Sequence, residues 1–141
     1  MQELFSRIYD LLLDGGMGSL LQARGLQPGE HPERWNISHS DVIVAVQQAY
    51  FDAGSNVVNT NTFGANPLKF DTKTLTEVVH AAIDCARAAR DASETAHEKF
   101  IALDIGPSGK MLAPLGDLDF EDAVKCFSEV IRIGADYGVD L

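Results

Sequence analysis

The chain has 141 residues, of which 45% are hydrophobic and 23% are charged, a composition typical of one globular domain and not of a disordered protein. Its net charge of −10 would repel phosphate backbones and anionic lipids, which argues against nucleic acid or a membrane as a partner. Residues 1–16 lack the basic and apolar regions of a signal peptide, and Cys85 and Cys126 have no C-x-x-C spacing. We therefore expect a cytoplasmic protein.

Strand and helix patterns alternate along the chain. The predicted elements, in chain order, are a strand at 11–13, a helix at 41–53, a strand at 56–60, a helix at about 75–97, a strand ending at Asp104, a helix at about 120–137 and the start of a strand at 139–141. This alternation is typical of parallel strands joined by right-handed crossovers. It leaves two architectures open, a doubly wound sheet or part of a (β/α)8 barrel.

Apolar spacing predicts which helix faces are buried. On the second helix the inward residues are expected to be Leu75, Val78, Val79, Ala82, Ile83, Ala86 and Ala89. On the third they are expected to be Ala123, Phe127, Val130 and Ile131. Cys85 and Cys126 fall near these faces and are interpreted as small core residues.

The connection at 15–40 is much longer than the roughly 2–6 residues usual between a strand and a helix. We predict at most one short helix in it, around Ser19–Arg24. Long connections of this kind are often functional, and Trp35 is expected to anchor this one by filling an apolar gap.

Polar residues follow every complete predicted strand. The first strand ends at Asp14, the second at Asn59, Asn61 and Thr62, and the third at Asp104. Because the carboxyl ends of parallel strands share one edge, these side chains are expected to lie together where ligands bind. A carboxylate suits an ammonium group, and amides and hydroxyls suit a zwitterion. The alternative is that these side chains only satisfy nearby backbone groups in turns.

Other motifs fail on their spacing. The stretch GPSGK at 106–110 has Asp104 and Met111 where a phosphate-binding loop needs Gly and Ser or Thr. The glycine-rich DGGMGS at 14–19 does not match G-x-G-x-x-G. No pair of histidines has metal-binding spacing, so the histidines are expected at the surface or at helix ends.

Five ordered motifs carry a family resemblance. The stretches LLLDGGMGSLLQARG, PERWN, AYFDAGSNVVNTNTFGAN, LDIGPSGKMLAPLG and GVD resemble the N-terminal part of the homocysteine S-methyltransferase domain. Within the family the GPSG and PLG stretches are most like the cobalamin-dependent methionine synthase branch, and Ser19, where a Thr is common, is a mild departure. The resemblance implies that residues 1–141 are the first half of a (β/α)8 TIM barrel, with about three βα units and the start of strand 4.

The resemblance also implies the chemistry. It implies methyl transfer from methylcobalamin or 5-methyltetrahydrofolate to a zinc-bound homocysteine thiolate, giving methionine. The homocysteine-binding residues would be Asp14, Gly15, Gly16, Asn61, Thr62, Asp104 and Gly106. The zinc ligands are expected beyond Leu141, and cobalamin and folate on separate modules of the same or another chain. We therefore expect an inactive fragment of the enzyme.

Two alternatives remain. In the first, the chain is a non-catalytic half-barrel that assembles with itself or with a separate second half, because three parallel strands would leave open edges. In the second, the chain is an unrelated α/β enzyme that uses Asp14 and Asp104 as acid and base.

Overall fold

The computed structural model describes residues 11–141, which form a mixed α/β fold. The strands are β1 (Val57–Asn59) and β2 (Phe100–Ala102). The helices are α1 (Met17–Ala23), a 3-10 helix (Pro32–Arg34), α2 (Trp35–Ser38), α3 (Ser40–Asp52), α4 (Thr72–Ala92) and α5 (Phe120–Asp136).

The two strands pair in parallel, with Val58 opposite Ile101. Residues 12–14 lie along the other side of β1, where Asn56 N donates to Leu12 O at 2.7 Å and Leu13 forms a parallel bridge with Val57. Residue 141 lies beside β2, because Leu141 N donates to Ile101 O at 3.1 Å. The four segments predicted as strands therefore lie side by side in chain order, the outer two with fewer ladder bonds.

The core lies between the sheet and the long helices α3, α4 and α5. All seven residues predicted on the inner face of α4 are buried, which confirms its helical phase. On α5 two of the four predicted residues, Ala123 and Val130, are buried, whereas Phe127 is half-buried and Ile131 is 49% exposed. Successive residues on a helix are about 100° apart, so the buried line through Ala123 and Val130 continues to Gly134 and leaves Ile131 outside.

Two boundaries of α4 differ from the prediction of about 75–97. The helix begins at Thr72, because the Asp71 carboxylate caps it by accepting a hydrogen bond from Thr74 N at 3.1 Å. It ends at Ala92, since Ser93 is in an extended conformation and its hydroxyl donates to the Asp52 carboxylate of α3 at 2.7 Å. The contact with Asp52 is a tertiary one that helical periodicity does not reveal.

The connection at 15–40 holds three short helical segments, so the prediction of at most one was wrong. The 3-10 helix has Pro32 in its first turn, where the missing backbone N–H is not needed. Trp35 is buried in a cluster that includes Leu21, Ile43 and Val46. Its predicted role as an anchor is confirmed.

The buried positions of Cys85 and Cys126 confirm their interpretation as core residues. The inference that the chain begins without a signal peptide concerns mainly residues 1–10, which lie outside the described residues. Within 11–141, no helix combines the length and apolar character needed to cross a bilayer.

Candidate functional site

A cavity of about 290 Å³ opens at the carboxyl ends of the strands. It contains five of the seven predicted site residues, and its lining is Asp14, Gly15, Gly16, Met17, Gly18, Pro32, Glu33, Asn59, Thr60, Asn61, Phe63 and Asp104. Its volume is near the lower end of small-molecule sites, which are about 300–1,000 Å³. Three larger clefts, of about 580, 560 and 420 Å³, lie on the outer surface, and none of them is lined by a predicted site residue.

Asp14 links the first two strand ends. Its two carboxylate oxygens accept hydrogen bonds from Asn59, one from the side-chain amide at 2.7 Å and one from the backbone N–H at 3.0 Å. Burial raises the pKa of Asp14, and the hydrogen bonds from Asn59 oppose that rise. The carboxylate is thus held in place by a strand 45 residues away and not by a local turn.

Asn61 is tied to the connection that precedes α3. Its side-chain Nδ2 donates to Pro32 O at 2.8 Å and to Asn36 Oδ1 at 2.9 Å. In return, Asn36 Nδ2 donates to Asn61 O at 2.9 Å and to Val78 O at 3.3 Å. Asn36 is buried, so the amide pair fixes one wall of the cavity against α4.

Thr62 joins the second strand end to the third. Its hydroxyl donates to Asp104 O at 2.7 Å and lies 2.7 Å from the Thr60 hydroxyl. The Thr60 hydroxyl in turn accepts a hydrogen bond from Asp104 N at 3.1 Å. Thr62 is fully buried and lies behind the cavity wall, whereas Asp104 lines the cavity. Burial raises the pKa of Asp104, and the charge of Asp14 raises it further.

Gly15, the first of the two glycines after Asp14, gives the chain room beside α3. A Cβ on Gly15 would lie 2.9 Å from the Tyr50 hydroxyl, which donates to Gly16 O at 3.1 Å. Tyr50 therefore supports the turn from behind, and a side chain at position 15 would have to displace the end of the Tyr50 ring.

Gly106 has a related packing role, at a distance from the cavity lining. A Cβ there would clash with the backbone oxygen of Phe63, a residue that does line the cavity. The structure thus gathers Asp14, Gly15, Gly16, Asn61 and Asp104 around one cavity and places Thr62 and Gly106 in its support.

Glu33 is a lining residue that was not predicted as part of the site. Its side chain is 4% exposed, and its Oε1 accepts a hydrogen bond from Gly64 N at 2.6 Å. Its other oxygen, Oε2, is buried without a hydrogen-bond partner among the described residues. The signal in the sequence was its place in the PERWN motif, but the buried environment depends on Gly64, 31 residues away.

Metal ligands do not converge in this part of the chain. Among residues 11–141, no three His, Cys, Asp or Glu side chains are placed to hold one ion. Burial, together with the nearby Asp84 charge, raises the pKa of the Cys85 thiol to about 11. Burial likewise raises the pKa of the Cys126 thiol, and neither cysteine lines the cavity.

Comparison with known proteins identifies the class. A model of the homocysteine S-methyltransferase family matches residues 11–141. The fold is similar to the metallated and oxidised forms of the homocysteine methyltransferase MmuM from Escherichia coli, each with a TM-score of 0.82, at 23% and 21% identity. These alignments cover 99% of this chain and 55% and 54% of the two solved chains.

A curated relative is similar along nearly the same region. It is the methionine synthase of Mycobacterium leprae, 26% identical over 140 residues that cover 90% of this chain and 11% of the relative. The chain thus spans about half the length of the solved homologue and a small part of the curated one. The chain belongs to the homocysteine S-methyltransferase family, which confirms the resemblance seen in its motifs and sets aside an unrelated α/β enzyme.

Proposed function

We propose that this chain forms the amino-acid-binding part of a homocysteine S-methyltransferase of the methionine synthase type. In this proposal residues 1–141 are the first half of a (β/α)8 TIM barrel, since the four strand segments lie side by side in chain order. The residues that bind homocysteine are Asp14, Gly15, Gly16, Asn61 and Asp104, with Thr62 and Gly106 holding them in place.

The observation that carries this proposal is the convergence of polar groups from three strand ends on one cavity. Asp14, Asn61 and Asp104 are far apart in sequence and line the same 290 Å³ space. A zwitterionic amino acid needs acceptors for its ammonium group and donors for its carboxylate. Carboxylates and amides supply both, in a family whose name specifies homocysteine.

The described residues do not fit the zinc ion that the resemblance implies. Both cysteines are buried in helices away from the cavity, and among residues 11–141 the carboxylates of the cavity are not grouped for one ion. We therefore propose that the zinc ligands lie beyond Leu141 and that methylcobalamin, or 5-methyltetrahydrofolate as the source of its methyl group, binds to separate modules. The contribution of this chain is to bind and orient the amino acid end of homocysteine in a cytoplasmic enzyme.

Isothermal titration of the chain with reduced homocysteine tests the binding role. We expect saturable binding that Asp14→Asn weakens, because the variant removes the negative charge beside the cavity. The matched control is Asp91→Asn, which makes the same charge change at an exposed site in α4. Wild-type protein that is folded and does not bind homocysteine would refute the proposal.

A methyl-transfer assay tests the second part. We expect the isolated chain, supplied with zinc, methylcobalamin and homocysteine, to produce no methionine. Addition of the second half of the domain as a separate polypeptide is expected to restore turnover. Turnover by the chain alone would show that it holds a complete site.

A second candidate function is assembly without catalysis. Large apolar side chains are exposed near the strand segments and the loop before α5, among them Leu12, Leu13, Phe63, Met111 and Leu115 at 57%, 59%, 58%, 62% and 83%. Such a surface favours pairing with a second copy or a separate half-barrel. Size-exclusion chromatography with light scattering distinguishes the cases, since a monodisperse folded monomer of 15.3 kDa would contradict self-pairing.

A further inference from the structure

The GVD motif at 138–140 joins α5 to the fourth strand segment, and none of its residues lines the cavity. Asp140 and Leu141 lie beside β2, where their backbone N–H groups both donate to Ile101 O, each at 3.1 Å. Leu141 O in turn accepts a hydrogen bond from Leu103 N at 2.8 Å. These bonds place Leu141 opposite the residue between Ile101 and Leu103, as in a parallel ladder.

The Asp140 carboxylate takes the place of a main-chain acceptor in this ladder. The bonds of a parallel ladder recur at every second residue of each strand, so a regular ladder would have Ile101 N donate to the carbonyl oxygen of Val139. Instead, Ile101 N donates to Asp140 Oδ2 at 2.9 Å. The first bond from β2 to the fourth strand segment is therefore accepted by a side chain.

Two arginines of α4 hold that carboxylate and the turn before it. Arg90 Nη1 donates to the same Oδ2 at 3.2 Å, and the Arg90 and Asp140 side chains are only 32% and 38% exposed. One helical turn earlier, Arg87 Nη2 donates to Tyr137 O at 2.6 Å and to Gly138 O at 3.2 Å. Gly138 has a φ of +81°, which lets the chain turn out of α5. The helix α4 thus fixes both the turn and the carboxylate that begins the ladder.

We propose that Asp140 is a positioning residue which, held by Arg90, sets the register of the fourth strand against β2. This inference rests on the proposed function and deepens it, since it takes residues 139–141 as the start of a barrel strand that runs toward the cavity edge. Successive side chains of a strand point to opposite faces, so a slip of one residue would move every later side chain to the other face. Asp140 therefore determines which side chains of the fourth strand face the interior of the barrel.

Amide hydrogen exchange, measured by NMR on the 141-residue chain, tests the register. The amides of Ile101 and Leu103 bond to the fourth strand segment. The amide of Thr60, which donates to Ala102 O at 2.9 Å, reports on the opposite side of β2. We expect Asp140→Ala to speed exchange at Ile101 and Leu103 by about tenfold or more, the effect of losing a hydrogen bond to a charged group, and to change Thr60 by less than about threefold. Asp140→Asn keeps an oxygen for Ile101 N and is expected to change all three rates by less than about threefold.

The methyl-transfer assay with the second half of the domain gives a functional readout. Asp140→Ala is expected to lower turnover by about 10- to 100-fold, because misplaced groups in a site cost rate on this scale, and Asp140→Asn is expected to restore most of it. Asp136→Ala removes the same charge from an exposed position of α5 and is the control, with exchange rates and turnover unchanged.

The outcomes separate this inference from the proposed function. The role of Asp140 is refuted if Asp140→Ala leaves exchange at Ile101 unchanged, speeds exchange at Thr60 to the same extent, or leaves turnover unchanged. If folded wild type neither binds homocysteine nor gives turnover with the second half, the proposed function fails and the exchange rates alone decide the register. Should Asp140→Ala not fold, the scalar coupling across the hydrogen bond between Ile101 ¹⁵N and the Asp140 carboxyl ¹³C in wild type decides, and its absence would refute the inference.

Discussion

Asn36→Ala is expected to destabilise the fold strongly for its size, because the Asn36–Asn61 amide pair is buried. The substitution removes the donor to Asn61 O, at 2.9 Å, and the acceptor for Asn61 Nδ2, also at 2.9 Å. Asn61 Nδ2 keeps its bond to Pro32 O, so Asn61 O is the group left alone. Leaving a buried polar group unpaired costs about 1–3 kcal/mol, and the lost packing adds to this.

We therefore expect the free energy of unfolding to fall by about 2–3 kcal/mol, a large share of the roughly 5–15 kcal/mol typical of a domain. Urea unfolding can be followed by the fluorescence of Trp35, the single tryptophan, which is 7% exposed and adjacent to the substitution. Ser38→Ala, an exposed change in the same short helix, is the control and should stay within about 0.5 kcal/mol.

A double-mutant cycle with Asn61→Ala completes the test. If the pair acts as a unit, the two losses are expected to be non-additive by about 0.5–3 kcal/mol. A loss below about 0.5 kcal/mol for Asn36→Ala, or strict additivity, would refute the view that this amide pair fixes the cavity wall.

Three further predictions concern other positions. Burial raises the pKa of Asp104 above 3.8, so the protonated form of this carboxyl stabilises the fold below that pH, and the stabilisation is lost as pH rises through the raised pKa. Asn at position 104 does not titrate. The melting temperature of Asp104→Asn relative to wild type should therefore increase from acidic to neutral pH. Gly106→Ala should lower the free energy of unfolding in urea by about 1–3 kcal/mol through its clash with Phe63, whereas Gly18→Ala, in open space on α1, should raise it by up to about 1 kcal/mol. The Cys85 thiol, with a pKa of about 11, should react with a disulfide reagent only after unfolding, and rapid reaction in native buffer would contradict its burial.

Helix faces could be predicted from the sequence because burial follows a period of 3.6 residues. The inner face of α4 followed this rule at every predicted position. Ile131 did not, since apolar character alone does not identify the buried line when a helix carries extra apolar residues on its outer side. The ends of α4 depended on Asp71 and on the Ser93–Asp52 contact, and the second of these is tertiary.

The site was predictable only in part, for a similar physical reason. Polar residues at strand ends are visible in the sequence, so Asp14, Asn61 and Asp104 could be placed at one edge. The direction of their hydrogen bonds was not visible, because each bond joins segments that are distant in the chain. Glu33 was missed since its position depends on how the long connection folds over Gly64.

The charge of the cavity predicts how many protons move when a ligand binds. Burial raises the pKa of Asp14 and of Asp104, and the charge of Asp14 contributes to the rise at Asp104. An ammonium group placed beside these carboxylates favours their charged forms and must lower both pKa values. Binding in mildly acidic solution is therefore expected to release protons.

An anionic group at the same place would raise the pKa values of Asp14 and Asp104 further, so that these carboxylates would take up protons when the ligand binds. Titrating homocysteine in two buffers of different ionisation enthalpy measures the number of protons transferred and its sign. If wild type releases protons on binding and Asp104→Asn does not, the ammonium group of homocysteine faces the carboxyl ends of the strands. Proton uptake would show that the carboxylate of the ligand lies beside Asp14 and Asp104, which would contradict the assignment of these residues to its ammonium group.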